Sequence, residues 1–285
     1  MTGTLTPPSL REPQAPGESW SPPRERRRRL GRVGLGLVVP IAALALWELG
    51  AVTGVISTRL IPPPSQIATT LADLASDGAL WVHSLATTLR VLAGFALGAF
   101  AGTVLGAATG VSNRFGTLFD PTLQALRNIP SIAWTPLFIL WFGIFETSKV
   151  LMIALGVFFP VYLTFSGAIA SVDRGLVEVG KAYGFNTYTL IRRILFPASL
   201  PTYVIGLRNG LGLGWMFVVA AEFLGASEGL GYLLVDGQQT GRPAVIIASI
   251  AMFALLGKLT DRVLASVGAR FTYWQDGFVR EGARR

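Results

Sequence analysis

The sequence predicts an all-α integral membrane protein with about six transmembrane helices. Three observations lead to this fold class. The 285 residues are 51% hydrophobic and only 14% charged, whereas a soluble domain carries about a quarter charged residues. Several apolar runs reach the length of about 20 residues that an α-helix needs to cross a bilayer. The net charge of +8 comes largely from basic residues at the chain ends and in short segments between these runs, as the positive-inside rule describes.

The N-terminal segment, residues 1–29, is rich in Pro, Ser, Glu and Arg. This composition predicts a disordered, basic N-terminus. The arginines at its end precede an apolar run at 33–53, which we predict to be the first transmembrane helix. A cleaved signal peptide is the alternative, but the apolar run is too long for one and no small-x-small cleavage site follows it. We therefore expect an uncleaved first span.

Proline, glycine and charged residues separate the later spans. Residues 61–64 read Ile-Pro-Pro-Pro, and the short segment 65–80 that follows is amphipathic. A glycine-rich loop is expected at 225–243. Pro130 and Pro136 are expected to break the third span. The five further spans are predicted at about 84–111, 118–143, 150–169, 203–224 and 244–264.

The basic residues predict how the chain is oriented. With six spans, the N-terminal arginines, Arg114, the segment 171–200 and the basic tail 266–285 all fall on one face. This asymmetry assigns that face, with both termini, to the cytoplasm. The opposite face holds Arg59, Lys149 and Arg242.

Two predicted spans carry a glycine at every fourth position. Such spacing lines one helix face and lets a neighbouring helix approach closely. Helix packing is the simpler interpretation, and a hinge or sliding surface is a compatible functional one. The glycines are Gly94, Gly98, Gly102, Gly106 and Gly110 in the second span and Gly206, Gly210 and Gly214 in the fifth.

The segment 171–200 is the longest predicted cytoplasmic loop and has helical character at 175–183. Gly184 can end that helix in a left-handed cap. A second short helix, at about 187–195, is expected to stop before Pro197, because proline disfavours helix at the residue before it. The loop is therefore predicted to form a helix-turn-helix hairpin that a soluble partner could receive in a groove.

The loop resembles the EAA loop in permease subunits of bacterial ABC importers. Glu178, Gly184, Ile194 and Pro197 match its spacing position by position. Gly180 stands where alanine is usual, and it should loosen the first helix by about 1 kcal/mol. In that family the loop docks on the ATPase subunit, so the resemblance implies that these four matching residues couple the chain to ATP hydrolysis.

The resemblance covers about residues 40–270 and points to the nitrate/sulfonate/taurine branch of these permeases. Within that branch the chain is most similar to the aliphatic-sulfonate permeases. The implied fold is the MetI-like type I permease fold, with its transmembrane domain at 80–265. The motifs that carry the resemblance are 126–137, 139–143, 146–149, 220–227 and 229–232 for the branch, with 57–62, 126–128, 173–178 and 254–259 for the aliphatic-sulfonate permeases.

The resemblance also implies the partners of the chain. They are an ABC ATPase subunit, an extracytoplasmic substrate-binding protein, a second copy of the chain and membrane lipid, and the implied location is the bacterial plasma membrane. ATP and magnesium would bind the ATPase, so the permease is expected to hold no cofactor and to catalyse no covalent reaction. The near P-loop at 175–182 supports this, because Ala182 stands where Ser or Thr must bind magnesium.

Other function classes are poorly supported. The chain has no cysteine and one histidine, His83, so thiol catalysis, zinc fingers and multi-histidine metal sites are excluded. An intramembrane enzyme would need a catalytic cluster at membrane depth, such as paired aspartates, that the spans lack. A stand-alone channel or secondary transporter would not explain the cytoplasmic hairpin. Nucleic-acid binding is not expected, because the basic residues follow the membrane topology.

Ionisable groups inside spans usually face a cavity or a partner. Candidates to line the pathway are Arg127 with Asn128, Arg208 and Glu222, because arginine offers planar bidentate donors to an oxyanion. A helix–helix salt bridge or an interfacial contact is the alternative for each, and Glu48 is a possible partner for either arginine. Trp134 and Trp215 are further candidates, with an interfacial aromatic belt as the alternative.

The substrate implied by the resemblance is a small oxyanion, and aliphatic sulfonates are the first choice. Taurine, nitrate and bicarbonate systems share the motifs, so they remain alternatives.

Overall fold

The computed structural model describes residues 25–223 and 225–272. The regular elements within this part of the chain are all helical, which confirms the predicted fold class. In chain order they are α1 (Glu25–Val52), α2 (Pro64–Ser76), α3 (Ala79–Val111), α4 (Asn113–Arg127), a 3₁₀ turn (Ser131–Trp134), α5 (Thr135–Phe142), α6 (Glu146–Ala170), α7 (Arg174–Ala182), α8 (Thr187–Leu190), a π turn (Ile191–Leu195), α9 (Phe196–Phe223), α10 (Leu230–Gln239) and α11 (Pro243–Phe271).

Within the described residues, four helices are long and apolar enough to cross a membrane. In chain order they are α3, α6, the continuous helix Thr187–Phe223, which contains α8 and α9, and α11. They correspond to the second, fourth, fifth and sixth predicted spans. A shorter apolar helix at Val38–Val52 matches the first. The helix α1 begins at Glu25. Residues 1–24 of the predicted disordered segment and residues 273–285 of the basic tail lie outside the described residues.

The third predicted span is interrupted, as its prolines suggested. It divides into α4, the 3₁₀ turn and α5. Pro130 lies between α4 and the turn. The helix breaks here because proline has no backbone N–H to continue it and disfavours helical backbone at the residue before it. Pro136 instead lies in the first turn of α5, a position where the missing N–H has no intrahelical partner. Gly143, at φ +74°, ends α5 in a left-handed conformation.

The glycine stripe of α3 packs directly against α6, which confirms the prediction of close helix approach. A Cβ on Gly102 would stand 2.8 Å from the carbonyl oxygen of Phe158 and 3.1 Å from the backbone nitrogen of Tyr162. A Cβ on Gly106 would lie 2.9 Å from the Tyr162 carbonyl oxygen. Only glycine allows the two backbones to come this close.

The second glycine stripe places α9 on another side of α6. Gly206 lies against Thr164, and Gly210 lies against Val157 and Val161. The helix α6 is therefore the central element, and the buried side chains of all three helices form one apolar cluster. This cluster contains Val91, Ala99, Ile153, Val157, Val161, Leu211, Trp215 and Val218.

The glycine contacts also fix the directions of the helices. Along α3 and α6 the contacting positions rise together, from Gly94 against Ile153 to Gly110 against Ile169, so these two helices are parallel. A chain that leaves α3 at one end must return to the other end before α6 can begin. The interrupted segment α4–α5 makes that return, so it crosses the same thickness as the uninterrupted helices.

Two predictions about connecting segments were wrong. The predicted loop at 225–243 contains the ten-residue helix α10, because Leu230, Leu233 and Leu234 lie on one face and are buried. Glu48 does not pair with either arginine. Its two carboxylate oxygens accept hydrogen bonds from the backbone N–H and the hydroxyl of Ser65, at 3.0 and 2.7 Å, and so connect α1 to the first turn of α2.

Candidate functional site

The segment 171–200 forms a hairpin whose two arms begin at side-chain caps. Before α7, Oδ1 of Asp173 accepts the N–H of Gly175 at 2.8 Å. Before α8, Oδ1 of Asn186 accepts the N–H of Thr189 at 2.8 Å. Each cap satisfies a donor that has no partner within its helix, so both arms are specified by residues next to them in the sequence.

Gly184 forms the turn between the arms, as predicted. Its φ is +74°, in the left-handed region that favours glycine. Its N–H donates to the carbonyl of Lys181 at 2.9 Å, and the N–H of Phe185 donates to the carbonyl of Gly180 at 3.0 Å. These two bonds are the Schellman motif that ends many helices.

The second arm differs from the prediction, because it does not stop before Pro197. It continues from α8 through the π turn into α9. The N–H of Phe196 donates to the carbonyl of Ile191, five residues back. A π turn changes the hydrogen-bond register, so the missing N–H of Pro197 falls in the first turn of α9, where the helix tolerates it. The hairpin is therefore joined to a transmembrane helix without a break.

The inner side of the hairpin packs on the membrane core. Leu190 and Leu195 of the second arm form a buried cluster with Phe165 and Ile169 of α6. Gly180 lies directly beside Ile194, and a Cβ there would stand 2.6 Å from the Ile194 Cδ1. Glycine at position 180 therefore lets the two arms pack closely, which is a structural reason for the departure from alanine. A displacement of the hairpin would be transmitted to α6 and α9 through these contacts.

The outer side of the hairpin presents an apolar face to solvent. Leu176, Val179 and Tyr183 are exposed by 50%, 54% and 78%, and their spacing places them on one face of α7. Tyr188 on the second arm is also exposed. Exposed apolar groups at this density mark interaction surfaces on many proteins, so this face is the candidate site for a protein partner.

The four predicted coupling residues have distinct positions in the hairpin. Glu178 is exposed on α7, Gly184 forms the turn, Ile194 is half-buried between the arms, and Pro197 lies where the hairpin enters α9. Two of the four thus shape the hairpin from within, and Glu178 is available to a partner.

The predicted pathway residues are not joined to one another by hydrogen bonds or ion pairs within the described part of the chain. Arg127 and Asn128 are exposed at the end of α4. Trp134 ends the 3₁₀ turn, and its buried Nε1 has no hydrogen-bond partner among the described residues. Arg208 forms an ion pair with Asp261 of α11. Trp215 is buried in the single chain and donates from Nε1 to the Thr260 hydroxyl at 2.9 Å.

Glu222 of α9 forms an ion pair with Arg90 of α3. A helix–helix salt bridge was the alternative to a pathway role for this residue, which is only 1% exposed. Its Oε1 accepts from Nη1 of Arg90 at 2.7 Å and from the Thr87 hydroxyl at 2.8 Å. Its Oε2 accepts the N–H of Gly231 at 2.7 Å. Every carboxylate oxygen is thus satisfied, as a buried charge requires.

Arg90 is the centre of this cluster, and sequence reasoning missed it. Besides Glu222, its guanidinium contacts both carboxylate oxygens of Glu146 at 2.6 and 2.8 Å and the carbonyl of Glu228 at 2.6 Å. Lys149 donates to the same Glu146 carboxylate at 2.9 Å. The cluster therefore ties α3, the start of α6, the end of α9 and the segment before α10 together at one end of the bundle.

One signal in the sequence points to Arg90: an arginine within an apolar span is costly unless it is paired. The same criterion identified Arg208 and Glu222. The pairing itself has no local signal, since the partners are 56 and 132 residues away in the chain.

Comparisons with known proteins agree with this architecture. The methionine ABC transporter MetNI, in inward-facing conformations, matches 65% of this chain and 94% of its own with a TM-score of 0.56 at 20% identity. An aliphatic-sulfonate transport permease of Bacillus subtilis is 38% identical over 88% of this chain and 91% of its own length. The taurine transport permease of Escherichia coli is 31% identical over 85% of this chain and 90% of its own length.

A family description, the binding-protein-dependent transport system inner membrane component, matches residues 85–273. The match begins in α3 and includes the hairpin and the buried ion-pair cluster. It confirms the resemblance drawn from the hairpin motif. The chain therefore belongs to the family of binding-protein-dependent inner membrane components and is a permease of an ABC importer.

Proposed function

We propose that the hairpin at 171–200 is the site where an ATPase subunit drives this permease. The observation that carries the proposal is that the hairpin exposes an apolar face on one side and packs on the membrane core on the other. A partner that moves this face would move α6 and α9 with it. ATP hydrolysis then occurs on the ATPase, and the permease supplies the pathway.

The same proposal places the hairpin and both termini in the cytoplasm. Support comes from the basic residues, since Arg114 and the hairpin arginines lie at the same end of the helices. The buried Arg90 cluster lies at the opposite end of α3, so it belongs to the extracytoplasmic side. An extracytoplasmic substrate-binding protein would deliver its ligand at that end.

A second copy of the chain would complete the pathway. The helices α5 and α9 line an open apolar groove of about 860 Å³. Leu140, Met216 and Phe223 lie along it with side chains that are exposed in the single chain. Two copies that meet through these faces would enclose a passage between them. Because these side chains are exposed on one chain rather than enclosed by it, they favour a pathway between two copies over a pathway within one chain.

The proposed substrates are aliphatic sulfonates, by similarity to the sulfonate permease of Bacillus subtilis. Taurine is the first alternative, because the taurine permease of Escherichia coli is 31% identical, and nitrate or bicarbonate uptake by the same architecture follows. Deletion of the gene should abolish growth on alkanesulfonates as the only sulfur source and leave growth on sulfate unchanged. Unimpaired growth on alkanesulfonates, with loss of growth on taurine, would instead support the alternative.

The docking face is tested by Val179→Asp. The exposed position should tolerate the substitution for folding and membrane insertion, whereas a buried carboxylate in an apolar interface is costly. We expect the variant to insert at normal levels but to lose copurification with the ATPase subunit and substrate uptake. Lys181→Asp is the matched control, since it introduces the same side chain on the opposite side of α7. Equal loss in both variants, or normal uptake in Val179→Asp, would contradict the docking face.

A further inference from the structure

The ion pair between Arg208 and Asp261 differs from the buried cluster around Arg90. Nε and Nη2 of Arg208 donate to the two carboxylate oxygens of Asp261 at 2.8 and 2.9 Å. Both side chains are accessible in the single chain, with exposed fractions of 44% and 31%. Arg90 and Glu222, by contrast, have side-chain exposures of 8% and 0%.

The accessible pair lies in the inner part of the membrane-spanning helices α9 and α11. At 1.5 Å per residue, Arg208 is about 18 Å from the start of α9 and about 22 Å from its end. Asp261 is about 27 Å from the start of α11 and about 15 Å from its end. Both residues lie inside the predicted spans 203–224 and 244–264. Because charged groups within spans are expensive in lipid, they face water, protein or the membrane surface.

The surface around Arg208 is a stripe along α9 that no described helix covers. Ile205, Asn209, Gly212 and Met216 are exposed on it, while Gly206, Gly210 and Gly214 on other sides of the helix are buried. The outer part of the stripe, at Met216, belongs to the apolar groove that we assigned to the pathway. Arg208 therefore lies on the inward continuation of the same groove.

The charges near Arg208 do not balance. Lys258 is exposed one turn before Asp261 on α11, so a second cation lies near the carboxylate that Arg208 binds. Glu222 is the only other acid in α9, and it is buried about 21 Å along the helix from Arg208. The uncompensated positive charge favours an anion, and the guanidinium fork matches the planar edge of an oxyanion in the way that it now meets Asp261.

We propose that Arg208 and Lys258 form an anion-binding subsite on the pathway wall, and that Asp261 occupies the Arg208 fork when no substrate is present. A passing oxyanion exchanges with the Asp261 carboxylate and is released when the carboxylate returns. Asp261 thus limits how tightly the subsite holds its ligand, as conduction through a pathway requires. This inference rests on the proposed function, because it assumes that the transported solute is an anion.

The native chain contains no cysteine, so single introduced cysteines report on this surface without background. Ile205→Cys and Gly212→Cys flank Arg208 on the stripe. Phe100→Cys is the control, because Phe100 is 70% exposed on α3 at a similar depth of about 16 Å from the helix end. In the complete transporter in vesicles, we expect a membrane-impermeant charged thiol reagent to modify the first two variants and not the third.

Ethanesulfonate should slow the modification of Ile205→Cys in a concentration-dependent manner, and uncharged ethanol should not. Adding Arg208→Gln should remove the protection but leave the cysteine reactive. Adding Asp261→Asn should give half-protection at about tenfold lower ethanesulfonate, since one competing charged hydrogen-bond partner is lost. Reactivity that none of ethanesulfonate, nitrate and sulfate slows, or protection that survives Arg208→Gln, would overturn the subsite.

A cysteine that does not react at either stripe position would also overturn the subsite, since it would place Arg208 away from water. The proposed substrate fails in a different way. If nitrate or sulfate protects the cysteine and ethanesulfonate neither protects it nor is taken up by the unmodified transporter, the subsite stands and the sulfonate assignment falls.

Discussion

Arg90→Ala is expected to destabilise the folded chain by about 3–5 kcal/mol, the cost of leaving a buried charge without its partner. The substitution removes the cation that pairs with Glu222 among the described residues, and the Glu222 side chain has no access to water in the single chain. It also frees the Glu228 carbonyl and one side of the Glu146 carboxylate. Thermal unfolding of the purified protein in detergent should show a large decrease in midpoint, or the variant should fail to accumulate in the membrane.

Arg242→Ala is the control for this prediction. Arg242 also forms an ion pair, with Asp236 at 2.6 Å, but it is 57% exposed. Exposed pairs contribute about 0–1 kcal/mol, so its removal should change the unfolding midpoint little. A similar loss in both variants would mean that burial is not what makes the Arg90 cluster important.

A double variant separates the charge from the packing. Arg90→Met with Glu222→Leu removes both buried charges and keeps apolar volume, and such replacements are often close to neutral. We expect the double variant to be more stable than Arg90→Ala. Its uptake activity then tests whether the cluster has a role beyond stability, since a purely structural cluster would leave uptake intact in a folded double variant.

The hairpin was the most predictable part of the site because its determinants are local. Asp173 caps the first arm, Gly184 ends it and Asn186 starts the second, all within 14 residues of sequence. The end of the second arm was not predictable from the proline rule alone. Pro197 favours a helix boundary at the residue before it, but the π turn keeps the helix continuous. Leu190, before this turn, and Leu195, within it, pack on α6, and such contacts have no local signal in the sequence.

Long-range contacts explain most of what the sequence left open. The glycine stripes predicted close packing but not the partner, and the structure shows that both α3 and α9 use them against α6. The Arg208 side chain was singled out by its position within a span, but its partner Asp261 lies 53 residues away and could not be predicted. The helix α10 was missed because four glycines between 225 and 237 resemble a loop, while its buried leucines follow a helical period that the glycines obscure.

The close approach of α3 to the backbone of α6 at Gly102 allows a direct test. Gly102→Ala is expected to destabilise the chain by about 1–3 kcal/mol, the usual cost of inserting atoms into a packed core. The added Cβ would meet backbone atoms of Phe158 and Tyr162 at 2.8 and 3.1 Å, and a helix backbone cannot move aside as a flexible side chain can. Gly102→Val should cost more, because its branched side chain would force α3 and α6 apart.

Gly167→Ala gives the matched control on α6, since no atom lies within 4 Å of the position of its Cβ. Here alanine should be neutral or stabilising by up to about 1 kcal/mol, because glycine is the weaker helix former. From highest to lowest, the unfolding midpoints of the three variants should therefore be those of Gly167→Ala, Gly102→Ala and Gly102→Val. Equal midpoints for the two alanine variants would show that α3 and α6 do not depend on close backbone approach, and that the glycine stripe serves another purpose, such as sliding during transport.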